Sequence, residues 1–161
     1  MTRSGTPGTA APNDRNAGRR PPDRSTRTAV AMLATLVVFL LLDAIWLGLV
    51  ARQVYLDAIG HLMAAEPYLP AAALFYLLFP LFLAWFAFVE APDRDSAWSV
   101  AGRGALFGLA TYGTYELTNW ATLRDWPGTI VLVDLGWGTA LCAISAAAAS
   151  VAWQLRRPHR G

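Results

Sequence analysis

The sequence predicts an all-α fold, a four-helix transmembrane bundle with a disordered Arg-rich N-terminal tail. Three observations carry that reading. The 161-residue chain is 55% hydrophobic and only 15% charged, with a mean hydropathy of +0.37, too apolar for an ordinary soluble domain. Its apolar residues gather in four runs, each close to the ~20 residues that cross a ~30 Å hydrocarbon core at 1.5 Å per residue. Its thirteen basic residues, all Arg, flank those runs in a strongly one-sided way.

Residues 1–27 hold six Arg, two Asp and almost no large apolar side chain. Such a segment cannot bury enough surface to offset its ordering entropy and is expected to be a disordered cytoplasmic tail. The pair Arg19-Arg20 reads as a positive flank rather than a twin-arginine signal. The membrane domain, residues 28–154, holds the four runs: Thr28 to Val50, Ala71 to Val89, roughly Val100 to Leu123, and roughly Thr129 to Trp153. None alternates as the strands of a membrane barrel would, and helices pair their backbone groups internally. The first run is longer than the apolar core of a signal peptide and lacks a clear cleavage site, so it reads as an uncleaved anchor. Pro80 should kink the second helix near its middle. The segment "ARQVYLDAIGHLMAAEPYLP" spaces Val54, Ile59, Leu62 and Met63 near helical period, as a short interfacial helix would. Residues 155–161 form a second cytoplasmic tail.

Orientation follows from the Arg count. With both termini cytoplasmic, eleven Arg lie inside and only Arg52 and Arg124 outside, as the positive-inside rule requires. A sequence pI near 9.0 therefore reflects membrane topology, and no nucleic-acid partner is expected. Trp98, Trp126 and Trp153 fall near span ends, where aromatic belts form.

The candidate chemistry is three acids inside spans. Asp43 lies in "LLDAIWLG", Glu116 in "TYELTNW" and Asp134 in "LVDLGWG", all in the outer half of the membrane under the orientation above. An ionised acid at a helix centre costs roughly 2.5–3.5 kcal/mol on insertion scales. Three at similar depth, with no Arg at that depth, point to a shared polar pocket in which at least one carboxyl keeps its proton near neutral pH. On the third helix Gly104, Gly108, Tyr112, Glu116 and Asn119 share one face, and the glycines form a G-x-x-x-G along which another helix can approach closely. On the fourth, Asp134, Gly138, Leu141 and Ser145 share a stripe. The pattern L-x-D-x-x-W occurs at Leu41–Trp46 and again at Leu132–Trp137, framing the acids with two Trp. Asp43, Glu116 and Asp134 are thus candidate catalytic groups, with Tyr112, Asn119, Trp46, Trp137 and His61 as candidate substrate-binding residues. The alternative is that the acids only fix helix register, with Asn119, Tyr112 and Tyr115 as partners.

Other chemistries have no footing. The two histidines, His61 and His159, do not make a membrane di-iron cluster. The single cysteine, Cys142, supports neither a disulfide nor a thiolate metal site. No phosphate-binding, nucleophile-elbow or dinucleotide motif is present. No metal and no cofactor are expected.

The stretches "LDAIWLGLV", "IGHLMAAEP", "AALFYLLF", "FGLATYGTYELTNWATLRDWP" and "VDLGWGTAL" together resemble an uncharacterised family of small predicted bacterial membrane proteins, over about Val30 to Ala152. The family motif usually reads Thr-Tyr-Asp-Leu-Thr-Asn. Glu116 stands here at the Asp position, which keeps the acid and lengthens it by one methylene. The resemblance implies a multi-pass protein of the bacterial cytoplasmic membrane and no particular activity. The reading that best joins these observations is a site for a lipid or small amphipathic molecule, in an enzyme or an enzyme's partner in membrane lipid modification. A proton- or cation-coupled transport subunit and a purely structural subunit are the alternatives. Expected partners are membrane lipids, and a second copy of the chain or a membrane enzyme.

Overall fold

The computed structural model describes residues 24–89 and 96–156. Five α-helices make up the fold: α1 (Arg24–Ile45), α2 (Arg52–Ile59), α3 (Leu69–Ala84), α4 (Ala97–Thr122) and α5 (Gly128–Leu155). Two of them run on into π-helical turns, α1 through Trp46–Val50 and α3 through Trp85–Val89. A 3₁₀ turn, Gly60–Leu62, ends the α2 segment. No strand occurs among the described residues. The all-α expectation holds, and the four apolar runs correspond to α1, α3, α4 and α5.

Helix α1 begins at Arg24, so Arg24 to Arg27, assigned to the tail from sequence, are helical. The rest of the tail (1–23), the segment 90–95 with Arg94, and residues 157–161 with His159 lie outside the described residues. Pro80 lies inside α3 and is buried. The helix carries on past it for a turn before widening at Trp85.

Among the described residues three helices, Arg24–Val50, Leu69–Ala87 and Gly128–Leu155, are long and apolar enough to cross a membrane. The fourth expected span, α4, has 26 residues but is diluted by Arg103, Glu116, Asn119, glycines and threonines. Its outer-face threonines are not loose polar groups. Thr114, Thr118 and Thr122 each return the hydroxyl to the carbonyl four residues back, which satisfies a hydroxyl where no water is at hand. A large share of the aliphatic surface faces outward, with Leu33, Leu74 and Leu132 all more than half exposed. In a bilayer this is the lipid-facing surface.

The long helices run side by side. At one end the Arg27 guanidinium lies 3.8 Å over the Trp153 ring, which brings the start of α1 to the end of α5. At the other end Trp137, on α5, bonds Asp43, on α1. The two helices are therefore antiparallel. Helix α4 is antiparallel to α5 as well, and much closer. A Cβ on Gly104 would fall 2.5 Å from the Cys142 carbonyl oxygen, and one on Gly108 would meet the Gly138 carbonyl oxygen more closely still. The expected glycine seam is real: without these hydrogen-only side chains the two backbones could not meet.

The core is a single cluster along α1, α3, α4 and α5 that includes Ala31, Phe39, Leu83, Val100, Leu141, Cys142, Ala146, Ala149 and Trp153. A smaller cluster, Trp126 with Ile130 and Val131, holds Tyr55, Ala58 and Ile59 of α2 against α5. Of the three tryptophans expected in aromatic belts, Trp98 is 87% exposed as a belt residue should be, but Trp126 and Trp153 are buried. Both have work inside the protein, Trp153 beneath Arg27 and Trp126 at the acids described next.

Candidate functional site

The end of the bundle remote from the chain termini carries the polar residues, and local sequence explains how they arrive there. Past Ile45 the α1 helix widens into the π-turn Trp46–Val50, which swings Trp46 onto α5. The buried Ala51, with backbone φ of −105°, then ends that turn. The chain folds back as α2 instead of leaving the bundle, and Tyr55 is carried inward on it. On the other side, α4 and α5 are joined through Asp125, whose φ is +59°. Asp is among the few side chains that tolerate this left-handed backbone. The tight turn aims Trp126 back at Glu116, ten residues earlier.

Asp43, 4% exposed, accepts from Tyr76 of α3 at 2.8 Å on Oδ2 and from Trp137 Nε1 of α5 at 3.1 Å on Oδ1. It ties three helices together with both oxygens engaged. Trp137 stacks on Trp46, with ring centroids 4.3 Å apart and planes within 6°. Trp46 Nε1 donates to the Tyr55 hydroxyl at 3.3 Å, and the Tyr55 hydroxyl donates to Asp134 Oδ1. Burial, then the neighbouring Asp134 carboxylate, raises the Tyr55 hydroxyl far above the ordinary phenol range, so it remains a donor at any physiological pH. The Asp134 carboxyl lies close enough to Glu116 for the two to interact electrostatically. Glu116 is wholly buried. Its Oε2 accepts from Trp126 Nε1 at 2.9 Å, while its buried Oε1 has no hydrogen-bond partner.

One network therefore links all three sequence-predicted acids. Its symmetry explains the repeated L-x-D-x-x-W pattern. On two antiparallel helices the two Trp stack, and each indole N–H points across to the other helix's side of the site. Trp137 reaches Asp43 directly, whereas Trp46 reaches Asp134 through the Tyr55 hydroxyl. The acids do not converge on a point, however. Among the described residues no three His, Cys, Asp or Glu side chains are grouped to hold a metal ion. No basic side chain is among the partners of the three acids.

The remaining candidates divide. Tyr112 stands among the acids, close enough to feel the charges of Asp43 and Asp134, with its ring packed against Gly138, where a Cβ would collide with it. Asn119 is half-buried, and its backbone carbonyl accepts the Leu123 N–H at 2.8 Å. The structure does not join its side chain to the acids. His61 is exposed in the 3₁₀ turn after α2 and likewise stands apart. Tyr115, the other expected acid partner, packs edge-on against Trp126 rather than bonding a carboxyl. The donors Tyr55, Tyr76 and Trp126, which hold the acids, are not among the sequence-predicted site residues. Trp126 was expected in an aromatic belt and lies in the family-like stretch through "LRDWP". Tyr55 and Tyr76 gave none beyond a hydroxyl in an apolar setting.

Beside the network lies a cleft of about 340 Å³ lined by Phe75, Phe79, Thr111, Tyr112, Tyr115 and Asp134. Phe75 and Phe79 stand 5.2 Å apart and Tyr112 meets Phe79 edge-on at 6.0 Å. The walls are aromatic, and Asp134 brings the acid network to the surface of the cleft. This volume is at the lower end of small-molecule sites.

With the glycine seam, the paired Asp-Trp elements and the acid of α4 in view, a family model covers residues 28–151. The chain belongs to the DUF2177 family of predicted membrane proteins. No curated protein matches it, and no solved structure does. DUF2177 membership thus identifies a membrane protein and assigns it no reaction, so the functional argument rests on the cleft and its acids.

Proposed function

We propose that this protein binds a lipid or other small amphipathic molecule within the membrane, at the aromatic cleft that ends on Asp134, as an enzyme or as an enzyme's partner in membrane lipid modification. The observation that carries the reading is the cleft itself: apolar walls beside a carboxyl pair suit a molecule with an apolar body and a polar end. Phe75 and Tyr115 are 41% and 58% exposed on the flank that would face lipid, which suits entry from the bilayer. The three acids take different parts. Asp43 is fully partnered and positions helices. Asp134 meets the ligand, and Glu116 stands behind it with an unpartnered oxygen that can take or hold a proton.

Proton transport is the weaker reading for a physical reason. An indole N–H donates a hydrogen bond and accepts none, so protons cannot hop through Trp46 or Trp137. Along this network Asp43 is therefore isolated from Asp134. We also propose that both termini are cytoplasmic in a bacterial cytoplasmic membrane, which puts the cleft in the outer half. The support is the Arg asymmetry, and a reporter fused after Gly161 should be active on the cytoplasmic side alone.

A dodecanol carrying a photoactivatable diazirine, added to vesicles holding the full-length protein, tests the site. Label should concentrate on Phe75, Phe79 and Tyr115. Label spread evenly along the outward leucines would mean that the cleft binds nothing.

A further inference from the structure

We infer that the polar end of the ligand is cationic, and that the cleft selects an amphipathic amine or quaternary ammonium over neutral or acidic amphiphiles of the same chain length. This rests on the amphiphile site proposed above and specifies its chemistry.

Two independent features lead there. The first is the wall. Phe75, Phe79, Tyr112 and Tyr115 all line one cleft. Phe79 lies at the centre of the group, within 5.2 Å of Phe75 and 6.0 Å of Tyr112, the latter at 90°. Aromatic rings gathered around one space are how proteins hold quaternary ammonium groups. An aliphatic cleft would have served an acyl chain as well, so the four rings call for a further explanation.

The second feature is charge. Asp134, in the cleft, interacts electrostatically with Glu116, with Asp43 farther along the network, and among the described residues no Arg or His bonds any of them. The Glu116 side chain is wholly buried and its Oε1 lacks any donor. Every donor the protein does supply is neutral: Tyr55, Tyr76, Trp126 and Trp137. Even when Glu116 holds a proton, the carboxylate left on Asp134 has only neutral partners, and a cation beside it is favoured. A ligand cation on Asp134 supplies it from within the cleft. An anionic headgroup would add a like charge to the same place and be rejected.

The test is competition against the diazirine-dodecanol label in phosphatidylglycerol vesicles, by dodecyltrimethylammonium, dodecanol and dodecanoate. Dodecyltrimethylammonium should displace the label at a concentration at least tenfold lower than dodecanol, with dodecanoate weakest. Because an anionic bilayer itself gathers cations, the comparison is repeated with Asp134→Asn, which keeps an acceptor for Tyr55. In that variant the advantage of dodecyltrimethylammonium over dodecanol should shrink several-fold, to what the anionic bilayer alone confers. Phe75→Leu, at a partly exposed wall position, should reduce the preference several-fold and serves if Asp134→Asn does not fold. Equal competition by all three chains, a preference for dodecanoate, or a cation preference untouched in the folded variants would each overturn the inference and leave the amphiphile site standing. Absence of focused labelling in the first place would remove both.

Discussion

Near the chain termini, α4 and α5 touch backbone to backbone. Gly104 lies against the Cys142 carbonyl and the Ala146 methyl, and Ala149 is fully buried farther along α5. Near the opposite end the same two helices carry Tyr112, Glu116 and Asp134, and each acid is held by a donor from elsewhere in the chain, Glu116 by Trp126 of the connecting turn and Asp134 by Tyr55 of α2. The contrast separates two ways of holding helices together in a membrane. Lipid tails are as apolar as leucine, so apolar side chains gain little from leaving them, and close packing of small residues must supply the attraction. The terminal half does this through the glycine seam. The remote half accepts buried acids and gains an aromatic cleft with a carboxyl in its lining. Stability is concentrated in one half and the candidate site in the other.

This contrast can be broken most sharply at the seam. Gly108→Leu would force a branched side chain into the Gly138 carbonyl, where backbone lies on both sides and neither can yield. Overpacking a tight core typically costs about 1–3 kcal/mol, and with backbone as the obstacle we expect at least the upper value. The prediction is loss of the cooperative thermal transition in detergent and a sharp fall in membrane abundance. A normal melting curve for this variant would mean that the seam does not hold the bundle.

A smaller effect is expected in the remote half. Tyr55→Phe removes the hydroxyl shared by Trp46 and Asp134 while keeping the ring against Ile130 and Val131. Losing a buried hydrogen-bond partner costs about 1–3 kcal/mol, so the protein should stay folded with a lowered midpoint. Its clearer signature is local: hydrogen exchange should speed up in α2 and leave α4 and α5 near the termini unchanged. Uniformly faster exchange would erase the distinction between the halves.

The smallest effect sharpens the comparison within one helix. Gly136 lies two residues from Gly138, yet a Cβ there meets nothing within 4 Å. Gly136→Ala should leave the melting midpoint within what about 0.5 kcal/mol produces, or raise it slightly through better helix propensity. Gly138→Ala drives a methyl into the Tyr112 ring and should lower it. Equal responses from the two glycines would show that position, and not composition, had been misjudged.

Much of this was readable from sequence because it depends on periodicity along single helices. The one-face alignment of Gly104, Gly108, Tyr112 and Glu116 follows from 100° per residue. The recurring L-x-D-x-x-W pattern pointed to a polar centre framed by two Trp, though not to the bond between Asp43 and Trp137. What escaped was everything set by where the chain reverses. Tyr55 reaches Asp134 only because the π-turn after Ile45 and the buried Ala51 fold α2 inward. Trp126 reaches Glu116 only through the left-handed Asp125. Neither event leaves a periodic trace. Asn119 shares the inward face in projection but lies within the last turn of α4, past the acids, where the chain is already leaving the helix.

The order in which this chain is made gives the network a further consequence. Asp43 enters the membrane with the first helix, yet its Trp137 donor lies 94 residues later, and Asp134 follows Tyr55 by 79. Until the last helix arrives, Asp43 has at most Tyr76, and Glu116 waits at the inward face of a helix poor in apolar residues. Each acid makes its helix a reluctant resident of lipid until the whole set is assembled. A chain that stops short of Trp137, or inserts α5 the wrong way round, would leave Asp43 without its indole donor and stay open to proteolytic removal. The polar end thus works as a check on completion: only the finished bundle conceals its acids.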